Sequence, residues 1–349
     1  MPPRTELPGA EVSRVYYHEV VAPLLARHRP GLEVAAARLG SGSDVLGFDD
    51  AQSRDHDWGL RLTLLVEDGL AAEIDALLEQ ELPAQWEGLP TRFTTTWEPV
   101  VRQRVEVASA ADFVASRTGL DPEILIAPEP FPVREWLALS GQAVLEVTAG
   151  PVFHDGPGVL GRLRARLAWY PRDVWLYALA ADWHRLGQEF PDVGRAGLRG
   201  DEDGSAVIAA RHVRTMLHLA HLLHRRWPPY AKWLARSAAA LPGGGALRSA
   251  LHEVLRARHW RARQAALADA AELLAAVQRT SGLPAPDPAT EAFFDRPHLG
   301  IREIAEPLSA LIEDPVVREL PAGVGTAEQI SDNVTVLVDA AARRRLVGG

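Results

Sequence analysis

Residues 58–67, with the sequence WGLRLTLLVE, carry an apolar side chain at every second position. Successive side chains of a β-strand point to opposite faces, so this pattern predicts a strand with one face in a hydrophobic core. Arg61 and Thr63 are expected on the face that points away from this core. The predicted core face consists of Trp58, Leu60, Leu62, Leu64 and Val66.

The segments around this strand predict a small domain that mixes helices and strands. Apolar residues at helical spacing indicate three helices, and short runs of alternating or β-branched residues indicate three more strands. The helices are predicted at 10–28, 71–82 and 112–118, and the strands at 32–39, 91–97 and 101–107.

A proline-rich stretch, APEPFP at residues 127–132, is the predicted domain boundary. Beyond it the pattern is mostly helical, after a hairpin predicted at 142–153. The sequence therefore predicts an α+β protein, with a small mixed-sheet domain at 1–126 and a larger α-helical bundle domain at 127–349. The later helices are predicted at 156–169, 171–190, 203–227, 229–240, 245–280 and 301–313.

The composition narrows the class of function. The chain has 349 residues, no cysteine and a net charge of −9. Without cysteine there are no disulfides and no zinc–thiolate sites, and the negative net charge disfavours nucleic acid as a partner. The N-terminal segment lacks the apolar core of a signal peptide, and the chain lacks the run of about 18 apolar residues that a membrane span needs. We expect a soluble, cytoplasmic protein with no membrane partner.

Asp55 and Asp57 precede the alternating segment and are two positions apart. In an extended chain both carboxylates would project from the same face. Two close carboxylates repel each other unless a proton or a cation lies between them. Carboxylate oxygens suit Mg²⁺, which usually completes its shell with water and substrate phosphates. We therefore predict a magnesium site at Asp55 and Asp57.

A Gly-Ser turn lies upstream of the two aspartates. Gly40 and Ser41 follow the strand predicted at 32–39, and Ser43 comes two residues later. Backbone N–H groups and hydroxyls at such a turn bind phosphate oxygens. Gly40, Ser41 and Ser43 are therefore the predicted phosphate contacts.

Glu106 is the candidate for a third carboxylate. In VRQRVEV the valines occupy one face of the predicted strand, whereas Arg102, Arg104 and Glu106 occupy the other. A third carboxylate can bind a metal ion or act as the general base for an attacking hydroxyl. The two arginines are predicted phosphate contacts on the same face.

The order of these features resembles the nucleotidyltransferase superfamily that includes polymerase beta and the aminoglycoside nucleotidyltransferases. That pattern is a Gly-Ser turn followed, about a dozen residues later, by Asp-x-Asp on a strand. The resemblance implies transfer of a nucleoside monophosphate from an NTP with release of pyrophosphate, Ser41 holding the triphosphate and Asp55 and Asp57 the Mg²⁺. Further segments resemble an uncharacterised bacterial nucleotidyltransferase-like family, a domain of unknown function: SRDHDWG, TAGPVFHDGPG, LAWYPRDVW, GDEDGSA and PPYAKWL.

Lys232 is the single lysine of the sequence, in which every other cationic side chain is arginine. An ammonium group is a compact point charge, and its retention here indicates a site that needs one. We predict that Lys232, with Tyr230 beside it, contacts the nucleotide, and that Lys232 points towards Ser41 and Asp55.

A stripe of basic residues runs along the helix predicted at 203–227. Two interpretations of this stripe stay open: a solvated face with acidic neighbours, or a surface that meets the triphosphate. A metal site at His218, His221 and His224 and an R-x(4–6)-H ribonuclease motif are weaker alternatives. The stripe consists of Arg211, Arg214, His218, His221 and Arg225.

The sequence favours a small-molecule hydroxyl acceptor, because the chain is acidic and its helical half is rich in aromatic residues. Two other functions stay open. One is a catalytically silent nucleotide-binding or regulatory module, and the other is a toxin-like nucleotidyltransferase acting on tRNA or protein. The sequence predicts neither the identity of the acceptor, nor the base of the NTP, nor the oligomeric state.

Overall fold

The computed structural model describes residues 6–54, 58–96 and 98–348. Its architecture is α+β, with a small mixed sheet and a larger helical part, which confirms the predicted fold class. None of the helices in the described ranges has the length and apolar sequence needed to cross a lipid bilayer.

The chain divides into two compact units. The first is Met1–Pro130 with Ala143–Ala168, and the second is Phe131–Gln142 with Trp169–Gly349. This division differs from the predicted boundary after residue 126, because the chain returns to the first unit and adds a strand to its sheet.

The strands of the first unit are β1 (Ala35–Ala37), β2 (Leu62–Val66), β3 (Gln85–Trp86), β4 (Leu89–Pro90), β5 (Arg92–Phe93), β6 (Arg102–Gln103), β7 (Val105–Ser109) and β8 (Val152–Asp155). The central sheet has the order β7-β2-β1-β8. β2 pairs in parallel with β7 and antiparallel with β1, and β8 pairs antiparallel with β1. The pairs β3–β4 and β5–β6 form two small antiparallel ribbons.

The predicted core face of β2 is confirmed. Trp58 packs partly buried against the hydrophobic core, and the other four predicted members lie within it. On the opposite face Thr63 and Leu65 are also buried, so both faces of this strand are covered. Burial of apolar side chains at about 25 cal/mol per Å² is what fixes the register of β2, since a slip of one residue would exchange its two faces.

β2 begins at Leu62, four residues later than predicted. The chain bends at Gly59, whose φ is +147°, and the Arg61 N–H donates to the Gly59 carbonyl at 2.9 Å. A Cβ at position 59 would overlap the ring of Phe93, so this close approach requires glycine. β2 therefore begins only after this bend.

The chain up to residue 168 contains the helices α1 (Gly9–Tyr16), α2 (Ala22–His28), α3 (Ala71–Glu81), α4 (Ala110–Thr118), α5 (Pro122–Ile126), α6 (Val133–Ala138), α7 (Gly141–Thr148) and α8 (Val159–Arg166). A π-helical turn, Tyr17–Val21, joins α1 to α2 in place of the predicted single helix. The Ser109 hydroxyl accepts the Asp112 N–H at the start of α4, and Gly119 ends the helix with φ +79°.

The hairpin predicted at residues 142–153 is wrong. α7 occupies most of this segment, because Ala143, Val144 and Val147 are buried at helical rather than alternating spacing. Gly150 then turns the chain into β8. A Cβ on Gly150 would overlap the Arg38 carbonyl, which explains the glycine at this point.

The second unit is mainly helical. Trp175 and Trp183 are buried on its longest helix, α9, which packs against α10 and α13. Its elements from residue 169 onward are α9 (Arg172–Gly197), α10 (Glu202–Leu223), α11 (Ala231–Ala239), α12 (Gly244–Arg256), α13 (Trp260–Thr280), β9 (Thr290–Ala292), β10 (Leu299–Ile301), α14 (Ala305–Ser309), α15 (Pro315–Arg318), α16 (Ala327–Ile330), α17 (Val334–Val338) and α18 (Ala340–Leu346).

Two predictions of helix ends in this unit are wrong. α9 continues through Pro191, where a break was predicted. Gly194 and Gly197 lie against His298 and Trp260, and a Cβ at either glycine would overlap those side chains. Packing therefore outweighs the cost of an internal proline. The helix predicted at 245–280 is divided into α12 and α13.

Candidate functional site

The Gly-Ser turn follows β1 directly. Gly40 has φ +80°, and its N–H donates to the carbonyl of Glu146 on α7 at 2.8 Å. This N–H is therefore used by the fold rather than offered to a ligand. Ser41 and Ser43 are partly exposed, and the Ser41 hydroxyl lies 3.5 Å from Nη2 of Arg61.

The Arg38 side chain stabilises this turn by hydrogen bonds. Its Nε and Nη2 donate to the two carboxylate oxygens of Asp44 at 2.7 and 3.0 Å, and Nη2 also donates to the Ser41 carbonyl at 3.0 Å. The Arg38 side chain is buried, and that of Asp44 is 11% exposed. A Cβ at Gly42 would overlap the Asp44 carboxylate, so glycine is needed there as well. The turn is thus a preformed structure built around a buried ion pair.

Asp55 and Asp57, the predicted metal ligands, lie outside the described residues. On the described side of this segment, Ala51–Arg54 forms a 3₁₀ turn. On the other side of the segment, the side chain of Arg61 contacts the Ser41 hydroxyl, with Nη2 at 3.5 Å.

Glu106 lies on β7 beside β2, directly opposite Thr63. The sequence alone could not establish that these two strands are neighbours. The Glu106 side chain is not isolated, however, because Nη2 of Arg117 donates to both of its carboxylate oxygens at 2.6 Å.

Arg117, on α4, is a residue that the sequence reasoning missed. Besides Glu106 it approaches Glu146, with Nε 3.8 Å from the carboxylate, and its guanidinium lies 4.9 Å from the ring centre of Phe113. Nη2 would be 3.4 Å from a Cβ placed on Gly40. Arg117 therefore connects the Gly-Ser turn with Glu106 on β7.

The arginines predicted as phosphate contacts are engaged elsewhere. Arg102 bonds Asp75 through Nη2, at 2.6 and 2.7 Å to the two oxygens. Arg104 donates to the carbonyls of Phe93, Glu98 and Val100. Both side chains stabilise the ribbon β5–β6 and its surroundings.

The chemistry of the donors at this site suits Mg²⁺ only if the two aspartates contribute. Within the ranges 6–54, 58–96 and 98–348, no three His, Asp or Glu side chains converge as a metal site requires. Glu106 supplies a hard oxygen ligand, but Arg117 neutralises it in this structure. Asp55 and Asp57 remain the predicted ligands.

In the second unit Tyr230 and Lys232 are both exposed. Tyr230 precedes α11, and Lys232 is the second residue of this helix, with Nζ 5.0 Å from the ring centre of Trp233. This is the distance of a cation–π contact. The role of Tyr230 and Lys232 in nucleotide binding stays a prediction.

The exposed members of the basic stripe have partners within the second unit. Arg211 bonds Glu189 at 3.1 Å, and Arg214 lies 3.5 Å from Asp332. Arg225 lies over the ring of Trp175 at 4.2 Å. These contacts favour the interpretation of a solvated face with acidic and aromatic neighbours.

The histidines of the stripe are buried. His218 lies between two carboxylates, with Nδ1 2.6 Å from Asp182 and Nε2 3.5 Å from Glu328. His221 bonds Ser237 through Nε2 at 2.9 Å, and Nδ1 of His224 lies 2.8 Å from the Ala220 carbonyl. His218 is therefore inaccessible to a polynucleotide, which argues against the ribonuclease motif.

The pKa values of two of these histidines are shifted in opposite directions, one by neighbouring carboxylates and the other by burial. Burial alone would lower the pKa of His218, but the negative charge and hydrogen bond of Asp182, together with Glu328, raise it to about 10. Burial lowers the pKa of His221 to about 4. His218 is therefore charged and His221 neutral at pH 7.

The stability of the second unit should be greatest near pH 6.5, the ordinary pKa of histidine. Above it, stability should fall towards pH 10, because folded His218 keeps a proton that the unfolded chain loses, with a slope of up to about 1.4 kcal/mol per pH unit. Below it, stability should fall as the unfolded chain protonates His221. Urea unfolding followed by tryptophan fluorescence from pH 4 to 10 measures this profile. A stability that stayed constant from pH 7 to 9 would contradict it.

Comparison with known proteins adds a partial family match. Residues 136–234 match the family described as a domain of unknown function, DUF4037. This family carries no assigned activity. No curated protein matches the chain significantly.

Among solved structures, the chain is similar to a nucleotidyltransferase-like protein from Exiguobacterium sibiricum 255-15. The identity is 14%, and the match covers 77% of this chain and 76% of that one, with a TM-score of 0.35. So low a score carries no weight for the site, which depends on the contacts described above.

The sequence contained a signal for one of the missed residues. Arg38 interrupts the apolar run from Val34 to Leu39, and a charged residue at that position needs a buried partner such as Asp44. Arg117, in contrast, looks like an ordinary exposed residue of an amphipathic helix. Its contact with Glu106 depends on the packing of α4 against β7.

Proposed function

We propose that this protein is a Mg²⁺-dependent nucleotidyltransferase that transfers a nucleoside monophosphate from an NTP to a hydroxyl of a small molecule. The parallel pairing of β2 with β7 carries the proposal, because it sets Glu106 on the strand beside the one that follows Asp57. Arg117 connects the Gly-Ser turn with Glu106, because it packs beside Gly40 and hydrogen-bonds the Glu106 carboxylate. The Gly-Ser turn and Glu106 therefore lie at the same end of the sheet, because Ala37 and Glu106 both pair with Thr63.

In the proposed reaction Ser41 and Ser43 hold the triphosphate. The acceptor oxygen bonds to the α-phosphorus, while the bond from this phosphorus to the β-bridging oxygen breaks and pyrophosphate leaves with its electron pair. The hydroxyl proton passes to a carboxylate or to water. Mg²⁺ held by Asp55 and Asp57 would neutralise the charge that develops on the phosphates. For Glu106 to act as third ligand or general base, Arg117 would have to leave its carboxylate.

Replacement of Asp55 and Asp57 by asparagine should abolish Mg²⁺-dependent NTP binding. Asparagine keeps the shape of the side chain but removes the charge that holds the cation, so affinity should fall by at least about 100-fold. Calorimetric titration with each NTP, with and without Mg²⁺, measures the change, and release of pyrophosphate is measured with candidate acceptors.

The matched control is the double variant Glu67→Gln/Asp68→Asn, which removes two adjacent exposed carboxylates at the other end of β2. It should bind as the wild type does. Unchanged affinity in Asp55→Asn/Asp57→Asn would refute the proposed site.

A catalytically silent nucleotide-binding module is the second candidate. The ion pair of Glu106 with Arg117 favours it, since this pair occupies a carboxylate that an active enzyme could use. Mg²⁺-dependent NTP binding without pyrophosphate release, for every acceptor tried, would support this alternative.

A further inference from the structure

We propose that Arg117 is the fixed cation of the anion site at the Gly-Ser turn, and that Glu106 positions this arginine instead of binding metal. The inference rests on the proposed function for the identity of the anion, which is the triphosphate of an NTP. The role of Glu106 thus differs from the metal binding that the sequence suggests. Arg117, which the sequence did not single out, becomes an anion-binding residue.

The position of Arg117 is set from three sides. Glu106 accepts two hydrogen bonds from Nη2, Glu146 lies 3.8 Å from Nε, and Phe113 packs below the guanidinium. The side chain is 25% exposed, so it is held in place yet reachable by a ligand. A guanidinium restrained in this way loses little conformational entropy when it binds an anion.

The same guanidinium lies beside the backbone of the turn. A Cβ on Gly40 would lie 3.4 Å from Nη2 of Arg117, which is an ordinary van der Waals distance, so the guanidinium packs against the turn. Nη2 of Arg61 lies 3.5 Å from the Ser41 hydroxyl, so an anion bound at that hydroxyl would lie beside a second guanidinium. Arginine suits this role because it presents several donors to phosphate oxygens.

The charge of Glu106 is already balanced by this arginine. A metal ion at Glu106 would have to displace a guanidinium bonded to both carboxylate oxygens, and would leave the half-buried Arg117 beside a divalent cation. Repulsion between like charges makes that arrangement unfavourable. Glu106 therefore acts through Arg117.

Calorimetry with two Mg²⁺-saturated probes, tripolyphosphate and the α,β-methylene analogues of the NTPs, tests the inference. Arg117→Met should weaken both probes by at least about tenfold, and Arg117→Lys should give an intermediate affinity. Arg92→Met is the matched control, because Arg92 forms an ion pair with Glu79 and is 24% exposed, against 25% for Arg117. It should change affinity by less than about twofold.

Glu106→Gln separates the positioning role from metal binding. It should weaken both probes by less than Arg117→Met does, because glutamine still accepts a hydrogen bond from Arg117 but no longer forms the ion pair, and the Mg²⁺ concentration that gives half-maximal binding should not move. A higher Mg²⁺ requirement in Glu106→Gln, or wild-type affinity in Arg117→Met, would overturn the inference. If thermal unfolding shows that Arg117→Met does not fold, the other two variants decide the question. Wild-type affinity in Arg117→Lys, combined with an increased Mg²⁺ requirement in Glu106→Gln, then overturns the inference.

Two results distinguish this inference from the proposed function. Analogue binding that depends on Asp55 and Asp57 but not on Arg117 overturns the inference and leaves the function standing. Tripolyphosphate binding that depends on Arg117, with no affinity for any NTP analogue, supports the anion site and overturns the function. If the wild type binds neither probe, both are overturned.

Discussion

Replacement of His218 by glutamine should lower the free energy of unfolding of the second unit by about 3–5 kcal/mol at pH 7. His218 is a buried cation between Asp182 and Glu328, and Glu328 also accepts the N–H of Gly141. Removing the positive charge leaves two carboxylates in a buried environment with no cation between them. Urea unfolding followed by tryptophan fluorescence measures the loss, since Trp175 and Trp183 report on this unit.

His212→Gln is the matched control. His212 is also buried on α10, but it packs against the ring of Phe190, and burial lowers its pKa. Its replacement should cost about 1–2 kcal/mol, as for an ordinary buried polar residue. A second check is the pH profile, because His218→Gln should lose the decline in stability between pH 7 and 10. Equal losses in the two variants would show that the carboxylates do not need the charge of His218.

Replacement of Arg38 by methionine should destabilise the first unit by about 3–5 kcal/mol and loosen the Gly-Ser turn. Methionine fills a similar volume but leaves the buried carboxylate of Asp44 without its counter-ion and the Ser41 carbonyl without a donor. Hydrogen exchange of residues 38–48, followed by mass spectrometry, measures the loss of protection at the turn, and chemical unfolding measures the loss of stability.

Arg164→Met separates charge from hydrogen bonding. Arg164 donates to the carbonyls of Val147 and Gly150. Its replacement therefore removes hydrogen bonds to neutral groups, whereas Arg38→Met also removes the counter-ion of Asp44. It should cost less than Arg38→Met, and exchange at residues 38–48 should stay slow. Asp44→Asn in the Arg38→Met background should restore part of the stability. The opposite order of the two arginine variants would refute the role of the ion pair.

Local signals explain what the sequence predicted well. The alternation before Val66 predicted the core face of β2 correctly, because apolar residues at every second position mark the face that packs against the core. The helix predicted at 71–82 is α3, which places Ile74 and Leu78 one turn apart in the core. α4 ends at Gly119 as predicted, since a left-handed residue there is cheapest for glycine.

The errors arose where contacts distant in sequence decide the local structure. Residues 142–153 have the composition of a strand, yet α7 forms because its apolar face is buried in the fold. Pro191 lies inside α9 because the packing of that helix outweighs one lost hydrogen bond. Neither outcome follows from the local residues alone.

The candidate site divides in the same way. Ser41 and Glu106 could be selected from the sequence because their residue types and positions suit phosphate and metal chemistry. Their proximity in the fold could not be predicted from the sequence. It depends on the pairing of β7 with β2 and on the contact of Arg117, on α4, with Glu106. Asp55 and Asp57 lie outside the described residues, so their roles stay predictions.

Residues 143–168 return to the first unit, so each unit is encoded by two separate stretches of the gene. The chain passes three times between the two units, so no single cut in the coding sequence separates one from the other. A fragment ending at residue 126 would lack β8 and leave β1 as an open edge of the sheet, a surface prone to pair with other chains. Recombination at one point could therefore neither add nor remove either unit intact.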